Sequence, residues 1–358
     1  MQKNVNNKMH VIGIMSGTSL DGLDIALCQF DINNDSYNYS IKKAVTINYS
    51  QEWAKLLKDI KNASAEDYFK LNSLYGKFIG EKINEFLKGT DLIPDAIASH
   101  GHTIFHQPKL GFSTQIGCGA TIAATTRITT VCDFRSLDVA NGGQGAPLVP
   151  IGDKLLFSEY EACLNIGGIA NISFNDKGGN RIAYDICEAN MLLNYLSEKL
   201  GQAYDRGGEL AKTGKINNEL LNKLNSQKYY SQKGAKSIGR EWFEQIILPL
   251  IENSGIEIKD LLATTTEHVA QIIANDLVNK KNVLVTGGGA FNSFLIESIK
   301  SKTSCEIIIP DAETINFKEA LIFAFLGYLR LNKKINTLSS VTGAKSDSIG
   351  GAVYLSDL

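Results

Sequence analysis

The first turn of the chain reads Gly13-Ile14-Met15-Ser16-Gly17-Thr18-Ser19-Leu20-Asp21-Gly22-Leu23-Asp24. Apolar residues precede and follow it, at residues 11–12 and 25–28, which predicts two strands joined by a tight polar turn. Gly17 and Gly22 permit backbone angles that would strain other residues. Hydroxyl and N–H groups in such a turn can form an anion-binding site of the kind that holds phosphate. Turn-forming residues alone explain the same composition, so an ordinary hairpin is the alternative.

Two carboxylates, Asp21 and Asp24, extend what this turn could bind. Mg²⁺ in a protein site usually keeps several of its waters and needs few carboxylate ligands. The turn therefore suits a phosphate with hydrated Mg²⁺, although it matches neither the Walker loop nor the dinucleotide fingerprint.

The same pattern returns far along the chain. Residues 163–173 again read as strand, glycine turn and strand, with Gly167 and Gly168 in the turn. Two such turns indicate a duplicated α/β fold with two mixed sheets, whose phosphate-holding hairpins face each other across a cleft. Periodicity predicts further strands at residues 39–48, 96–98, 181–184, 283–285 and 306–309, and helices at 51–60, 65–87, 120–127, 189–200, 242–253, 260–279 and 317–331.

Length and composition exclude several classes of protein. The 358 residues suggest two domains, because single cores stop growing well before this length. The net charge is −2, with no basic block, so neither nucleic acid nor an anionic membrane is an expected partner. The chain has no long uninterrupted apolar stretch and a polar N-terminus, which predicts a cytoplasmic protein without a membrane span. Its 6 cysteines are scattered, which favours reduced thiols over disulfides or a zinc site.

The loosest segment is the glycine-rich stretch at residues 141–147, which we interpret as a domain junction. We therefore expect a first domain at residues 1–138 and a second at residues 139–335. The tail, from about residue 336 to residue 358, is expected to return to the first domain, because chain termini often lie close together.

A buried strand at residues 96–98 runs into a loop that contains His100, His102 and His106. A zinc site needs three or four ligands, and no acidic or thiol partner lies nearby in the sequence. Hydrogen bonding to a polar ligand is therefore the favoured interpretation.

Two charged residues at strand ends each allow two interpretations. Arg135 offers a planar fork that suits a carboxylate, but a structural ion pair with Asp138 explains it equally well. Asp185 ends a strand that opens towards the expected cleft, where a general base is expected, but it could instead cap the following helix.

The final candidates lie in the last third of the chain. Gly287, Gly288 and Gly289 stand between a strand and a helix and would let the backbone approach a flat ligand, with Asn292 as a hydrogen-bonding partner. Glu319 is either a first-turn helix carboxylate or a ligand contact.

Several motifs occur together in one order over residues 10–353, and the combination closely resembles the anhydro-N-acetylmuramic acid kinase family. They are Met15-Ser16-Gly17-Thr18-Ser19-Leu20-Asp21-Gly22, Ser99-His100-Gly101, Phe134-Arg135-Ser136, the segment at residues 142–150, Asn165-Ile166-Gly167-Gly168-Ile169-Ala170-Asn171, and Thr286-Gly287-Gly288-Gly289-Ala290-Phe291-Asn292. The resemblance implies an actin-like, hexokinase-like fold of two domains with ATP in the cleft. It also implies an ATP-dependent conversion of 1,6-anhydro-N-acetylmuramic acid to N-acetylmuramic acid 6-phosphate in peptidoglycan recycling, and a homodimer.

The resemblance assigns roles to the candidate residues. Asp185 is implied to be the base that activates water, while His100, Thr103, Arg135 and Glu319 surround the sugar. ATP and Mg²⁺ would contact the two hairpins and the third glycine loop: Ser16, Gly17, Thr18, Ser19, Asp21, Gly22 and Asp24; Asn165, Gly167, Gly168 and Asn171; Gly287, Gly288, Gly289 and Asn292. The resemblance does not identify the direct metal ligands.

The segment around the implied base departs from the family's common motif, Asp-Thr-Gly-Pro-Gly-Asn. Here residues 185–190 read Asp185-Ile186-Cys187-Glu188-Ala189-Asn190. We expect the negative charge of Glu188 to raise the pKa of Asp185. The family's usual Gln is replaced by His102. Two alternatives to the implied activity stay open: a sugar kinase that acts on another amino sugar, and a nucleotide-binding protein without catalysis.

Overall fold

The structure is a computed structural model that describes residues 8–17, 20–33 and 36–356. The chain forms two compact units: unit 1 comprises Met1–Leu156 and Phe317–Leu358, and unit 2 comprises Phe157–Asn316. No helix in the described ranges is long and apolar enough to cross a membrane.

Both units are built on sheets, whose strands we number in chain order. They are β1 (Met9–Ser16), β2 (Gly22–Asn33), β3 (Ser36–Asn48), β4 (Ala96–Gln107), β5 (Phe112–Ile116), β6 (Thr130–Cys132), β7 (Ala162–Ile166), β8 (Ile169–Asn175), β9 (Arg181–Glu188), β10 (Asn282–Thr286), β11 (Glu306–Ile308) and β12 (Ala352–Tyr354).

The helices cover these sheets and are also numbered in chain order. They are α1 (Gln51–Asp59), α2 (Ala65–Leu87), α3 (Gly119–Thr126), α4 (Ser136–Ala140), α5 (Val149–Leu156), α6 (Asn190–Glu198), α7 (Glu209–Thr213), α8 (Asn218–Asn225), α9 (Lys228–Ser231), α10 (Arg240–Trp242), α11 (Leu248–Glu252), α12 (Ile258–Asp276), α13 (Ser293–Lys300), α14 (Ala312–Leu331) and α15 (Ser339–Thr342). Short 3₁₀ turns lie at Ile60–Asn62, Pro108–Leu110, Arg206–Gly208 and Gly288–Phe291, and a π-helical turn lies at Phe243–Ile247.

The two sheets repeat one topology, which confirms the predicted α/β class with a duplicated mixed sheet. In unit 1 the order is β12-β6-β4-β1-β2-β3, with β5 paired to β4. In unit 2 the order is β11-β10-β7-β8-β9. Each sheet begins with three consecutive antiparallel strands, and two later strands, β4 and β6 in unit 1 and β10 and β11 in unit 2, run parallel to the first.

Each unit has its own core. In unit 1, the inner face of the sheet packs against α2, which begins where the Ser64 side chain accepts a bond from the Asp67 N–H and buries Tyr75 and Ile79 at helical spacing. In unit 2, the sheet packs against the buried face of α12, including Val269 and Ile273.

The units divide between residues 156 and 157 and between residues 316 and 317. The sequence predicted these boundaries at 138/139 and 335/336. One hydrogen bond and one ion pair explain the difference. The Gly145 N–H donates to the Asp138 carboxylate at 2.7 Å, which folds the glycine-rich loop back onto unit 1. Lys318 on α14 pairs with Asp153 on α5 at 2.8 Å, and both side chains are buried. The tail lies in unit 1, where β12 pairs with β6.

Candidate functional site

The first glycine turn joins β1 to β2, and side chains hold its first residue. Ser16 is buried, and its hydroxyl bonds the Tyr49 hydroxyl at 2.7 Å and His102 Nδ1 at 2.9 Å. Tyr49 in turn bonds the Tyr75 hydroxyl. Thr18 and Ser19, two predicted ATP contacts, lie outside the described residues.

Burial lowers the pKa of His102 to about 4, so this imidazole is neutral at physiological pH. A neutral imidazole can donate to or accept from the Ser16 hydroxyl according to its tautomer. The sequence named His102 as one of three loop histidines and as a departure from the family pattern; the structure shows that it bonds Ser16 at the start of the first glycine turn.

Carboxylates lie close to the end of the same turn. Asp24 accepts a bond from the Thr46 hydroxyl at 2.6 Å, and its pKa is raised chiefly by burial, with the charge of Asp21 adding to the effect. The Glu319 side chain reaches solvent, yet desolvation raises its pKa and the charge of Asp24 raises it further. A cation would relieve this repulsion, so the arrangement fits a hydrated Mg²⁺. Within the described ranges, no cluster of three or more His, Cys, Asp or Glu residues could hold a metal ion.

Arg135 is held rigidly by neighbouring groups of unit 1. Its Nη1 donates to the Gly145 carbonyl at 2.6 Å, and its Nε and Nη2 donate to His100 Nε2 at 3.2 and 2.8 Å. Asp138 instead accepts bonds from the Gly145 N–H and the Thr342 hydroxyl, both at 2.7 Å. The Arg135–Asp138 ion pair considered from the sequence is therefore not what holds either side chain.

His100 is committed to Arg135 on one side and to the backbone on the other. Its Nδ1 lies 2.9 Å from the Gly101 carbonyl, which can only accept, so Nδ1 carries the proton and Nε2 is the acceptor. Burial, followed by the charge of Arg135, lowers the pKa of His100 to about 3. Burial also lowers the pKa of Arg135 to about 10, which leaves it charged at neutral pH. Thr103 is half-buried, and its hydroxyl accepts from Gln115 at 3.4 Å.

The second glycine turn joins β7 to β8 and is held by main-chain bonds. The Gly167 carbonyl accepts from the Asn190 N–H at 3.1 Å. The Gly168 carbonyl accepts from the Ala189 and Met191 N–H groups at 2.9 and 3.0 Å. The start of α6 therefore fixes this turn through backbone atoms.

One row of polar side chains crosses the sheet of unit 2. Strand pairing places Thr286, Asn165, Asn171 and Asp185 opposite one another on β10, β7, β8 and β9. Paired residues present their side chains on the same face of a sheet. These four residues lie in or beside separate sequence motifs, and strand pairing aligns them across one sheet.

The third glycine loop follows β10 directly. Gly287 has φ 83°, and a Cβ there would lie 2.6 Å from Asn165 Oδ1 and 2.8 Å from the Ile166 carbonyl. Only glycine fits this close approach. Thr286 Oγ1 is buried and has no hydrogen-bond partner among the described residues, which fits a polar ligand beside the loop. Asn292 caps α13 by accepting from the Leu295 N–H at 3.1 Å.

Asp185 is half-buried and bonded at three of its groups. Its N–H donates to the Lys236 carbonyl at 3.0 Å, its carbonyl accepts from the Tyr229 hydroxyl at 2.6 Å, and its Oδ2 accepts from the Ile238 N–H at 3.1 Å. Burial raises its pKa, opposed by the Ile238 bond. The capping alternative is wrong, because α6 begins at Asn190 with Ala189 as its N-cap.

Glu188 does not have the effect on Asp185 that the sequence predicted. Its carboxylate is fully buried and accepts bonds from the Tyr230 hydroxyl, while burial is what raises the pKa of Asp185. Sequence reasoning missed Tyr229 and Tyr230 as partners of this segment. No local pattern could have identified them, because both contacts span about forty positions of the chain.

Comparisons with known proteins agree over nearly the whole chain. The family model described as anhydro-N-acetylmuramic acid kinase matches residues 9–356. The protein of that name from Francisella tularensis subsp. novicida (strain U112) is 37% identical over 376 residues, which cover 96% of this chain and 98% of the relative. Its namesake from Sulfurovum sp. (strain NBC37-1) is 35% identical over 98% of this chain and 100% of the relative. The protein of that name from Clostridioides difficile (strain 630) is 37% identical over 96% of this chain and 98% of the relative.

Proposed function

Since this chain belongs to the anhydro-N-acetylmuramic acid kinase family, we propose that it converts 1,6-anhydro-N-acetylmuramic acid and ATP into N-acetylmuramic acid 6-phosphate and ADP. Such a reaction is a step of peptidoglycan recycling. The observation that carries the proposal is the position of Asp185, a half-buried carboxylate of raised pKa at the end of a polar row. A base with a raised pKa is suited to accept a proton near neutral pH.

The substrate explains why the base must act on water. In the anhydro sugar, O6 is bonded to C1, so it carries no proton for a base to remove. Water attacks C1, the C1–O6 bond breaks, and O6 forms the new bond to the γ-phosphorus as ADP leaves. The proton of the attacking water passes to Asp185. One Asp185 oxygen accepts from the Ile238 N–H, which leaves the other to receive that proton.

Arg135 is the proposed partner of the lactyl carboxylate of the sugar, because its charge and planar fork suit a carboxylate. His100 takes a modified role in this proposal. Its two ring nitrogens are engaged by Gly101 and Arg135, so it orients Arg135 instead of donating to the sugar. Thr103 and Glu319 remain the proposed neighbours of the sugar ring.

The glycine turns are the proposed ATP contacts, with backbone groups facing the phosphates. Residues proposed to contact ATP or its metal are Ser16, Gly17, Thr18, Ser19, Asp21, Gly22, Asp24, Asn165, Gly167, Gly168, Asn171, Gly287, Gly288, Gly289 and Asn292. Asp24 and Asp21 would hold a hydrated Mg²⁺, which neutralises charge on the transferred phosphoryl group when bound. A homodimer is a further proposal that rests on the family resemblance, and a cytoplasmic location is one that rests on the composition of the sequence.

Asp185→Asn tests the proposed base. The amide keeps the shape of the side chain but cannot accept the proton, so turnover should fall by at least about 100-fold. ATP affinity, measured by calorimetry, should stay within about twofold of the wild type. Glu297→Gln is the matched control, because this carboxylate is exposed on α13 of the same unit. An Asn variant as active as the control would overturn the assignment.

A further inference from the structure

A bulge in β9 lies directly after Asp185. Asn171 pairs with Asp185 and Ala170 pairs with Cys187, so Ile186 is an extra residue in the bulged strand. A bulge interrupts the ladder and changes the direction of the neighbouring side chains. The direction of the Asp185 carboxylate therefore depends on what holds the bulge from outside the sheet.

Two consecutive tyrosines of α9 bracket this bulged segment. The Tyr229 hydroxyl donates to the Asp185 carbonyl at 2.6 Å. The Tyr230 hydroxyl lies 2.8 and 3.0 Å from the two oxygens of Glu188, three residues further along the strand. Both rings pack against Trp242, with centroids 5.4 and 5.8 Å away. One helical turn thus grips both ends of the segment that carries the proposed base.

The far end of this grip is anchored inside unit 2. The side chains of Glu188 and His268 are both 0% exposed. His268 Nε2 lies 3.3 Å from a Glu188 oxygen, and its Nδ1 lies 2.6 Å from Asn225 Oδ1. A buried carboxylate costs free energy to desolvate unless its oxygens are fully bonded. The buried Glu188 carboxylate carries this cost and lies three residues from the proposed base. Its burial is therefore consistent with a role in holding Asp185 in position.

The loop after α9 completes the support of Asp185. The Lys236 carbonyl accepts from the Asp185 N–H, and the Lys236 ammonium lies 4.7 Å from the centre of the Tyr229 ring. Two residues later, the Ile238 N–H donates to the carboxylate itself. The tyrosine pair and this loop therefore fix the main chain and the side chain of one residue.

We infer that Tyr229 and Tyr230 form a clamp on the bulge, anchored through Glu188 and His268, that positions Asp185 for proton transfer. The inference rests on the proposed function of Asp185 as the base. Tyr230 and Glu188 are positioning residues in this account, because Tyr230 contacts the bulged segment, Glu188 ends it, and neither touches the reacting atoms.

Tyr230→Phe tests the clamp, because it removes the hydroxyl but keeps the ring against Trp242. We expect kcat to fall about 10-fold to 100-fold, since small displacements of a catalytic group have effects of this size. The KM for ATP should stay within about twofold. Glu188→Gln retains an oxygen that can accept from Tyr230 and should lose less activity than Tyr230→Phe. Tyr195→Phe is the matched control: it removes a hydroxyl that bonds Glu252 at the surface of the same unit, and its kcat should be that of the wild type.

Amide hydrogen exchange gives a readout that does not depend on the substrate. Tyr230→Phe should speed the exchange of residues 185–190 relative to Tyr195→Phe, with other β-strand amides of unit 2 unchanged. Unchanged kcat and unchanged exchange in Tyr230→Phe would overturn the clamp. A uniform rise in exchange across unit 2, with ATP binding lost, would also overturn it and would indicate a purely structural role. If the wild type fails to turn over the anhydro sugar, the proposed function fails, and the exchange experiment still decides the clamp.

Discussion

The two glycine turns occupy the same place in two sheets of the same topology but are held differently. In unit 1, cross-strand side chains hold the turn, with Ser16 bonded to His102 and Asp24 to Thr46. In unit 2, the turn is held chiefly by main-chain bonds from the start of α6, and the Asn190 side chain adds one bond to the Ile166 carbonyl. Side-chain support can be altered by substitution or protonation, whereas main-chain support can be altered only where the backbone itself is crowded.

The third strand of each sheet, β3 in unit 1 and β9 in unit 2, also differs between the units. One step below each turn, the strand register aligns Met15, Asp24 and Thr46 in unit 1. The same step aligns Asn165, Asn171 and Asp185 in unit 2. The proposed base thus stands where unit 1 has a threonine that bonds a carboxylate. In the duplicated fold, the third strand supports the turn in one unit and carries the proposed proton acceptor in the other.

The largest effect is expected where the main-chain support is crowded. Gly287→Ala would place a Cβ within 2.8 Å of the Ile166 carbonyl at a positive φ. Strain and overlap together should destabilise unit 2 by about 2 kcal/mol or more and abolish ATP binding. Urea unfolding and calorimetry measure both.

Gly179→Ala is the control for that substitution. Gly179 also has a positive φ, but nothing lies within 4 Å of a Cβ built there. It should lose about 1 kcal/mol from backbone strain alone and still bind ATP. Equal losses in the two variants would show that the approach of Gly287 to the second hairpin is unimportant.

A pH effect should separate the two kinds of support. Burial lowers the folded-state pKa of His102 to about 4, below the ordinary 6.5. Between these values the unfolded chain binds the proton and the folded chain does not, so stability falls as pH drops from 6.5 to 4. His102→Gln should reduce the slope of unfolding free energy against pH by at most about 1.4 kcal/mol per pH unit, which is the contribution of one proton. Denaturant unfolding of both proteins at pH 7 and pH 5 measures this slope. An unchanged slope in the variant would contradict a neutral His102 in the folded protein.

The smallest effect is expected from the loss of one side-chain hydroxyl. Tyr49→Phe removes the hydroxyl that bonds both Ser16 and Tyr75 and should reduce the free energy of unfolding by about 1–2 kcal/mol. ATP affinity should fall slightly, because His102 still holds Ser16. Tyr37→Phe is the control: it changes a tyrosine of the same sheet and keeps the aromatic packing against Phe325, and its ATP affinity is compared with that of Tyr49→Phe. A Tyr49→Phe variant that loses ATP binding entirely would mean that the support of the turn is not shared.

The fold was predictable because its signals are local. Apolar runs beside the glycine turns predicted the strands, and the repeated turn predicted the duplication. The unit boundaries were not predictable in this way, since they depend on long-range contacts such as Lys318 with Asp153. A pairing between residues that distant leaves no mark on local composition.

The candidate site was predicted as a set of residues but not as a set of contacts. Asp185 was chosen from its predicted place at a strand end, whereas β9 continues to Glu188 and Asp185 lies within it, directly before the bulge. The direction of the Glu188 side chain was not identified, because it is decided by Tyr230 and by His268, which lies 80 positions away. The contact of His100 with the sugar stays a prediction, and the sequence did not predict its bonds to Arg135 and Gly101.

The most direct test of the proposed reaction is the mass of the sugar product. The purified protein is incubated with ATP, Mg²⁺ and 1,6-anhydro-N-acetylmuramic acid, and ADP release is measured with and without the sugar. Sugar-dependent ADP release, with a product that has gained both one phosphoryl group and one water, is the predicted result. A product that gained the phosphoryl group without water, or no ADP release from protein that binds ATP, would contradict the coupled ring opening proposed for Asp185.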